Sequence, residues 1–191
     1  MGSQSPIVSS DGSEHSIEVM NKSVSVAAGA HRQFDSIKTL ALVADTHGLL
    51  RDSVTEALGR FDLIVHAGDV GPRSLLQSLE SIAPVVAVRG NVDNELACLA
   101  PTELISVNGQ LIYVLHDLIQ LDLDPVTAGI AMVVSGHSHQ PKIDRRRGVL
   151  YVNPGSIGPR RFRLPVSFAK VACDEREFVV ELVHLEEGSS R

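Results

Sequence analysis

The sequence predicts an α/β fold, because short apolar runs alternate with amphipathic helical stretches through its first half. Apolar runs at 39–44, 61–66 and 84–88 each have the length of a strand that is buried on both faces. Between these runs, 51–60 and 74–82 place their apolar residues on one helical face. A strand-helix-strand-helix-strand order of this kind calls for right-handed crossovers.

The second half of the chain predicts mostly strands. Asn108-Gly109 lies between two apolar runs, 104–107 and 111–115, and this pattern is typical of a β-hairpin. Two arrangements accommodate the predicted strands: one mixed sheet, or two sheets packed face to face with helices outside. The remaining predicted elements are a short helix at 125–129 and strands at 130–135, 149–152, 165–172 and 177–184.

The first 37 residues differ in character from the rest of the chain. They are rich in Ser and Gly and show no sustained strand or helix periodicity. We therefore predict a flexible N-terminal tail over 1–37, within which 24–28 could form a short strand, and a single domain over 38–191. Every apolar run is shorter than the roughly 18 residues that a membrane span needs.

Composition restricts the class of partner. The formal net charge is −6 and aromatic residues make up 4% of the chain, so long nucleic acid is not an expected partner. The two cysteines, Cys98 and Cys173, are too few for a disulfide scaffold and fit the reducing conditions of the cytoplasm. Arginine clusters at 145–147 and 160–163 are either solvated surface or a basic rim that attracts a phosphate-bearing substrate.

Polar side chains follow five of the apolar runs, usually beside a glycine. Ligands of α/β sheets bind beyond the carboxyl ends of the strands, so we expect these side chains to converge in one cleft. Carboxylate, imidazole and amide oxygen are the donors of a hard-to-borderline divalent metal ion. The candidate metal ligands are Asp45, His47, Asp69, Asn91, His116, His137 and His139.

Seven ligands are too many for one tetrahedral zinc ion. They suit two ions that share one carboxylate, and two ions roughly 3.5–4 Å apart form a clamp for in-line displacement at phosphorus. A hydroxide held between the ions could serve as the nucleophile, while their charge neutralises the phosphoryl oxygens.

These motifs, in this order, resemble those of the calcineurin-like metallophosphoesterases. The set comprises Asp-x-His, Gly-Asp, Gly-Asn-x-Asp, a lone His and Gly-His-x-His, and 153–156 matches a further segment. Size and spacing are most similar to the small phosphodiesterase branch, which includes the metallophosphoesterase-fold subunit of retromer. The resemblance covers about 38–185 and implies a four-layer β-sandwich flanked by helices.

The resemblance also implies how the ligands are divided between two metal ions. Mn²⁺ is the expected metal, with Fe, Zn or Ni as alternatives. One ion would be bound by Asp45, His47 and His139, the other by Asn91, His116 and His137, and Asp69 would bridge them.

Two positions depart from the pattern of related branches. Val92 stands where protein phosphatases and purple acid phosphatases have a histidine that can protonate the leaving group, so substrates with poor leaving groups should react more slowly. Asp93 could orient a ligand or water, or assist protonation, and we count it with Asn91 and His116 as a candidate catalytic residue. Asp117 replaces a glycine after the lone histidine, and its carboxylate is expected to fix the imidazole ring.

Three further residues complete the candidate site. Arg73, after Gly71-Pro72, and Arg89, before Gly90, are candidates for contact with the substrate phosphate. His66 ends an apolar run, where a packed and hydrogen-bonded histidine is favoured over one that supports a metal ligand.

The expected function is a dimetal-dependent phosphoesterase of the cytoplasm. It would hydrolyse a small phosphodiester or phosphomonoester by in-line attack of a metal-bridging hydroxide. The alternative is a non-catalytic protein-interaction module that keeps this fold, as the resemblance to the retromer subunit suggests. A homodimer or higher oligomer is compatible with either function.

Overall fold

Two β-sheets form the centre of the protein in a computed structural model that describes residues 31–174 and 177–185. The α-helices are α1 (Asp52–Leu58) and α2 (Arg73–Glu80). The strands are β1 (Arg32–Phe34), β2 (Thr39–Val43), β3 (Leu63–His66), β4 (Val85–Ala87), β5 (Thr102–Val107), β6 (Gln110–Leu115), β7 (Ile130–Val134), β8 (Lys142–Arg146), β9 (Val149–Asn153), β10 (Val166–Cys173) and β11 (Phe178–Leu185). Short 3-10 helices lie at Asn94–Leu96 and Leu118–Gln120.

The strand order confirms the two-sheet alternative. One sheet has the order β1-β5-β6-β7-β9-β8, and the other has the order β11-β10-β2-β3-β4. Strands β2, β3 and β4 are parallel, as are β6, β7 and β9. Because parallel strands share one direction, their carboxyl ends meet at the same edge of each sheet.

The two sheets pack face to face around an aliphatic core. Alternation along β2 sends Leu40 and Leu42 into this core, while Ala41 and Val43 face α1 and α2. All four are fully buried, which explains an unbroken apolar run instead of an alternating one. The helices cover the five-stranded sheet, and among the described residues the outer layer over the other sheet includes the 3-10 helix Leu118–Gln120.

Most elements form where the sequence predicts them, and two differences lie within the predicted domain. Residues 125–129 form consecutive turns instead of a helix, because a five-residue segment ending at Gly129 (φ 70°) is too short to propagate one. β8 was not predicted as a strand: it is a charged edge strand, so it lacks apolar alternation.

The domain begins earlier than predicted. Arg32–Phe34 pairs in parallel with β5, and Phe34 and Ile37 are buried in the core. The side chain of Asn108 holds this segment, since its Oδ1 accepts from the Ile37 amide (3.1 Å) and its Nδ2 donates to the Ile37 carbonyl (2.7 Å). The prediction of a flexible tail is therefore wrong for 32–37. Residues 1–30, including the possible short strand at 24–28, lie outside the described residues.

The described ranges, 31–174 and 177–185, contain no helix long and apolar enough to cross a membrane.

Candidate metal centre

The loops that follow five strands bring the candidate ligands together. Asp45 and His47 follow β2, and their amides donate to the carbonyls of Gly68 (3.0 Å) and Asp69 (2.9 Å), which tie this loop to the one after β3. Asn91 follows β4, His116 follows β6, and His137 and His139 follow β7.

Several candidate ligands have a left-handed backbone conformation. Among the described residues, nine non-glycine residues have positive φ, and five of them are candidate ligands. Such conformations cost about 1–3 kcal/mol each and concentrate at functional sites. The five are Asp45 (φ 55°), His47 (45°), Asp69 (56°), His137 (66°) and His139 (57°).

Asp45, His47 and His139 form the first group of ligand atoms. The Nε2 atoms of the two histidines are 3.2 Å apart, and their rings stack with centroids 5.2 Å apart. Asp45 Oδ1 is 3.4 Å from His139 Nε2 and 3.9 Å from His47 Nε2. Neither Asp45 oxygen has a hydrogen-bond partner among the described residues, although both are buried. A buried carboxylate facing two imidazole nitrogens fits a divalent cation, which would satisfy all three.

Burial raises the pKa of Asp45 to about 7, although charge on His116 acts to lower it. The folded state without metal therefore holds this proton more tightly than the unfolded state, whose Asp45 has an ordinary pKa of 3.8. The contribution of Asp45 to stability is then greatest below its unfolded pKa and falls as pH rises through the folded pKa.

We therefore expect Asp45→Asn to stabilise the metal-free protein at pH 8 by about 2–4 kcal/mol and to have a smaller effect at low pH. The measurement is chemical unfolding of wild type and variant in chelator at both pH values. The same variant should lose the stabilisation that Mn²⁺ gives the wild type. An unchanged free energy of unfolding at pH 8 would contradict the prediction.

The second group contains Asp69, Asn91, His116 and His137. His116 Nε2 is 3.4 Å from Asp69 Oδ2 and 3.0 Å from Asn91 Oδ1, and His137 Nδ1 is 3.3 Å from the same Asn91 oxygen. Asp69 Oδ2 is also 3.7 Å from His47 Nε2, so this carboxylate lies between the two groups. Ligand atoms of Asp45, Asp69 and His116 all lie within 4.8 Å of one another.

Asp69 and His116 each favour the charged form of the other in the absence of metal. Burial opposes ionisation of Asp69, but hydrogen bonds from His116 and the Val92 amide (3.1 Å) outweigh it and lower its pKa to about 2. Burial likewise opposes protonation of His116, but Asp69 and the Ala67 carbonyl raise its pKa. A cation bound here would replace the imidazolium proton, since metal binding to a histidine releases it.

His116 is held by a backbone group and not by Asp117, so the role expected for Asp117 is wrong. His116 Nδ1 lies 2.8 Å from the Ala67 carbonyl oxygen, and this contact leaves Nε2 for the site. The Asp117 side chain instead accepts from the Ile119 amide (3.0 Å) and caps a 3-10 helix. A nearby carbonyl performs the orienting role that the sequence predicted for a carboxylate.

Asp93 joins the loops that carry the ligands. It is buried, its Oδ1 accepts from the Gly71 amide (2.9 Å), and its Oδ2 accepts from the Gly90 amide (2.8 Å). Both oxygens are thus engaged by backbone groups, an arrangement that favours a positioning role over direct proton transfer.

His66 is a packed histidine, as the sequence predicts. Its Nε2 lies 2.8 Å from Thr46 Oγ1, and that hydroxyl donates to the Val70 carbonyl (2.9 Å). The hydroxyl can then only accept from His66, so Nε2 carries the hydrogen. Burial lowers the pKa of His66 to about 4 and keeps it neutral. Thr46 had no sequence signal, because its partners are set by packing.

Of the arginines singled out by sequence, Arg89 and Arg161 lie near the candidate ligands, whereas Arg73 has no described contact with them. Arg73 is exposed on the first turn of α2, and none of the described hydrogen bonds or ion pairs joins it to a candidate ligand. Arg89 lines a cavity of about 440 Å³ that also contacts Asn91, His116 and His137. Arg161, from one of the two clusters, places Nη2 3.2 Å from His47 Nε2. Position in the chain did not reveal this contact, because it depends on the path of a loop.

Each sheet contains parallel strands, and carboxylates, imidazoles and an amide lie together beyond the carboxyl ends of these strands. This arrangement defines an α/β protein with a divalent-metal centre. Residues 39–176 match the model of the calcineurin-like phosphoesterase superfamily domain, and the chain belongs to this family. Family membership supports a hydrolase, and the ligand types at the site imply divalent metal ions.

Curated relatives extend this match over most of the chain. A probable metallophosphoesterase of Methanocaldococcus jannaschii is 31% identical over 159 residues, which cover 78% of this chain and 82% of the relative. The phosphodiesterase YfcE of Escherichia coli is 27% identical over 161 residues, covering 71% and 88% of the two chains. The chain therefore resembles small metallophosphoesterases over most of their length.

Solved structures share the fold. Vps29 from Entamoeba histolytica, in complex with zinc, has a TM-score of 0.66 at 20% identity, covering 79% of this chain and 94% of that one. A Thermotoga maritima protein has a TM-score of 0.61 at 25% identity, covering 78% and 100%. The fold of this chain is thus shared with Vps29 and with the Thermotoga maritima protein.

Proposed function

We propose that this protein is a dimetal-dependent phosphoesterase that hydrolyses a small phosphodiester, or a phosphomonoester, by in-line attack of hydroxide. The observation that carries the proposal is the position of Asp69, whose Oδ2 is 3.7 Å from His47 Nε2 and 3.4 Å from His116 Nε2. A carboxylate between two groups of nitrogen and oxygen ligands suits a pair of ions better than a single ion.

The proposed metal ligands are the side chains of the two groups described above, one group for each ion. Bound ions would supply positive charge to the phosphoryl oxygens and lower the pKa of an attacking water. We propose Mn²⁺, because carboxylate, imidazole and amide donors suit it, although Zn²⁺ is present in the Entamoeba histolytica Vps29 structure. Asp45, His47 and His139 would hold one ion, Asn91, His116 and His137 the other, and Asp69 both.

The chain's own residues then bind and orient the phosphoryl group. The Asn91 amide can donate through Nδ2 to a phosphoryl oxygen while its Oδ1 faces His116 and His137. Val92 is 46% exposed and has no proton to give to a leaving group. Protonation of the leaving group by a positioned acid typically raises the rate about 10²–10⁴-fold. The proposed substrate is therefore an ester with a good leaving group. We place the protein in the cytoplasm, where its free thiols would persist.

The alternative, a non-catalytic interaction module, takes its support from the Vps29 neighbours. Their identity to this chain is low, and likeness at that level concerns the fold alone. The complete ligand set favours the enzyme, because the buried and unpartnered carboxylate of Asp45 costs stability and a protein that bound only partners would gain nothing from it.

Metal content and turnover test the proposal together. Elemental analysis of the purified protein, supplied with Mn²⁺ and dialysed, should give about two ions per chain. Hydrolysis of bis(p-nitrophenyl) phosphate should then disappear with chelator and return with Mn²⁺. A folded protein that binds no divalent ion and releases no nitrophenol would overturn the proposal and favour the interaction module.

A further inference from the structure

Two cavities flank the candidate ligand His137. The first, called here the β8 cavity, has a volume of about 270 Å³ and lies between the β8–β9 hairpin and the 3-10 helix Leu118–Gln120. The second, called here the β6 cavity, has a volume of about 440 Å³ and is lined by Asn91, His116 and residues of β6. His137 and Asp117 line both cavities, so they form the wall between them.

Each cavity contains one of the protein's two tyrosines. Tyr151, on β9, lines the β8 cavity, and Tyr113, on β6, lines the β6 cavity. The sequence has two tyrosines and no Trp. A tyrosine side chain therefore lines the cavity on either side of His137, and aromatic side chains stack with planar groups of a ligand.

Strand β8 adds a guanidinium plane to the first of these surfaces. Because side chains alternate along a strand, Lys142, Asp144 and Arg146 line the β8 cavity, whereas Arg145 lines a different cavity with Phe178. The Arg146 guanidinium lies over the Tyr151 ring, 4.7 Å from its centroid.

The charge of that surface is largely balanced. Arg146 Nε is 2.9 Å from Asp144 Oδ2, and Lys142 Nζ is 3.9 Å from the same oxygen. Asp117 adds a second carboxylate to the lining. A flat wall with opposite charges close together favours a planar uncharged group over a second phosphate.

We propose that the substrate is a phosphodiester with two organic arms, of which one enters each cavity and the one in the β8 cavity carries a planar ring that stacks on Arg146 and Tyr151. This inference rests on the proposed function, because it places the phosphoryl group beside Asn91 and His137. A monoester has one arm and fills only one cavity. The geometry therefore selects the diester from the two substrate classes.

Two non-hydrolysable phosphinates test the proposal by binding alone. Dibenzylphosphinate carries two rings on P–C bonds, and dimethylphosphinate has the same charge but no ring. In the Mn²⁺-loaded protein, Arg146→Ala should weaken dibenzylphosphinate about tenfold, the value of one stacked ring, and leave dimethylphosphinate unchanged. Arg145→Ala is the matched control, since it removes the same charge from the same strand on its other face. Calorimetry gives both affinities.

The β6 cavity and the tyrosines supply further arms of the experiment. Tyr113→Leu should also weaken dibenzylphosphinate, and its effect should add to that of Arg146→Ala because the two cavities are separate. In a Tyr113→Phe background, Tyr151 is the single fluorophore of its kind, and dibenzylphosphinate but not dimethylphosphinate should change its emission. Thermal unfolding checks that the variants fold.

The outcomes separate this inference from the proposed function. The assignment of two arms would be overturned if Arg146→Ala and Arg145→Ala bound dibenzylphosphinate with equal affinity, or if Tyr113→Leu had no effect on that affinity. This holds even if bis(p-nitrophenyl) phosphate is hydrolysed. The expected binding pattern in a protein without turnover would support the two-arm site and reject the hydrolase.

Discussion

Asp69→Asn is expected to lower Mn²⁺-dependent hydrolysis of bis(p-nitrophenyl) phosphate by more than about 100-fold. Mutation of residues that only orient metal ligands typically lowers metal affinity or activity about 10–100-fold. A larger loss is expected here because Asp69 Oδ2 lies close to a ligand atom of each group, His47 Nε2 (3.7 Å) and His116 Nε2 (3.4 Å). Asparagine keeps the size of the side chain and one oxygen but removes the negative charge that offsets the ions. Its Oδ1 can still accept from the Val92 amide, so the loop should keep its path.

The measurement is kcat/KM at saturating Mn²⁺, together with the number of ions bound per chain. Asp52→Asn is the matched control, since it neutralises an exposed carboxylate on the first turn of α1. It should leave turnover and metal content unchanged. Activity of Asp69→Asn within tenfold of wild type would mean that this carboxylate does not hold the ions.

Gly90→Ala is expected to destabilise the protein by about 3 kcal/mol or more and to disrupt the metal centre. A Cβ on Gly90 would lie 2.1 Å from Asp69 Oδ1 and 2.2 Å from the Asp69 amide nitrogen. The second of these atoms belongs to the backbone, so a side-chain rotation cannot relieve the clash. The Gly90 amide also donates to Asp93, and that contact would shift with it.

Urea unfolding measures the loss of stability, and metal content measures the loss of the site. The control is Gly59→Ala at the end of α1, where a Cβ would meet no atom closer than 3.8 Å and the backbone is already helical (φ −63°). That variant should be neutral or stabilised by up to about 1 kcal/mol. Equal stability of the two variants would show that the loop after β4 adapts to the added carbon.

The parts of the fold that follow from apolar patterning could be predicted from the sequence. A strand buried on both faces is apolar at nearly every position, and β2 and β3 are apolar except at their end residues Thr39 and His66. β1 and β8 lie at sheet edges, where one side meets solvent and charge is tolerated, so their sequences carry no strand pattern. Pairing with a neighbouring strand creates them, and a single sequence does not show that neighbour.

The candidate ligands could be predicted because parallel strands share one direction and the two sheets pack face to face, which brings the loops at their carboxyl ends together. The groups that orient those ligands could not, since they depend on side-chain reach and on backbone atoms. The Ala67 carbonyl holds His116, and Arg161 contacts His47 although it is 114 residues away along the chain. Asp117 is adjacent to His116 in sequence, yet it caps a short helix. Proximity in the chain thus predicted the wrong partner.

The pairing of β1 with β5 has a consequence for the behaviour of shortened chains. A chain beginning at residue 38 would lack β1, and β5 would become an edge of the six-stranded sheet, with unpaired N–H and C=O groups along Ile105–Val107. An exposed edge of this kind can pair with the same edge of another molecule, so self-association should rise with protein concentration. Arg32–Phe34 therefore covers this stretch of β5, and as a strand of only three residues it leaves a shorter edge with which other copies could pair.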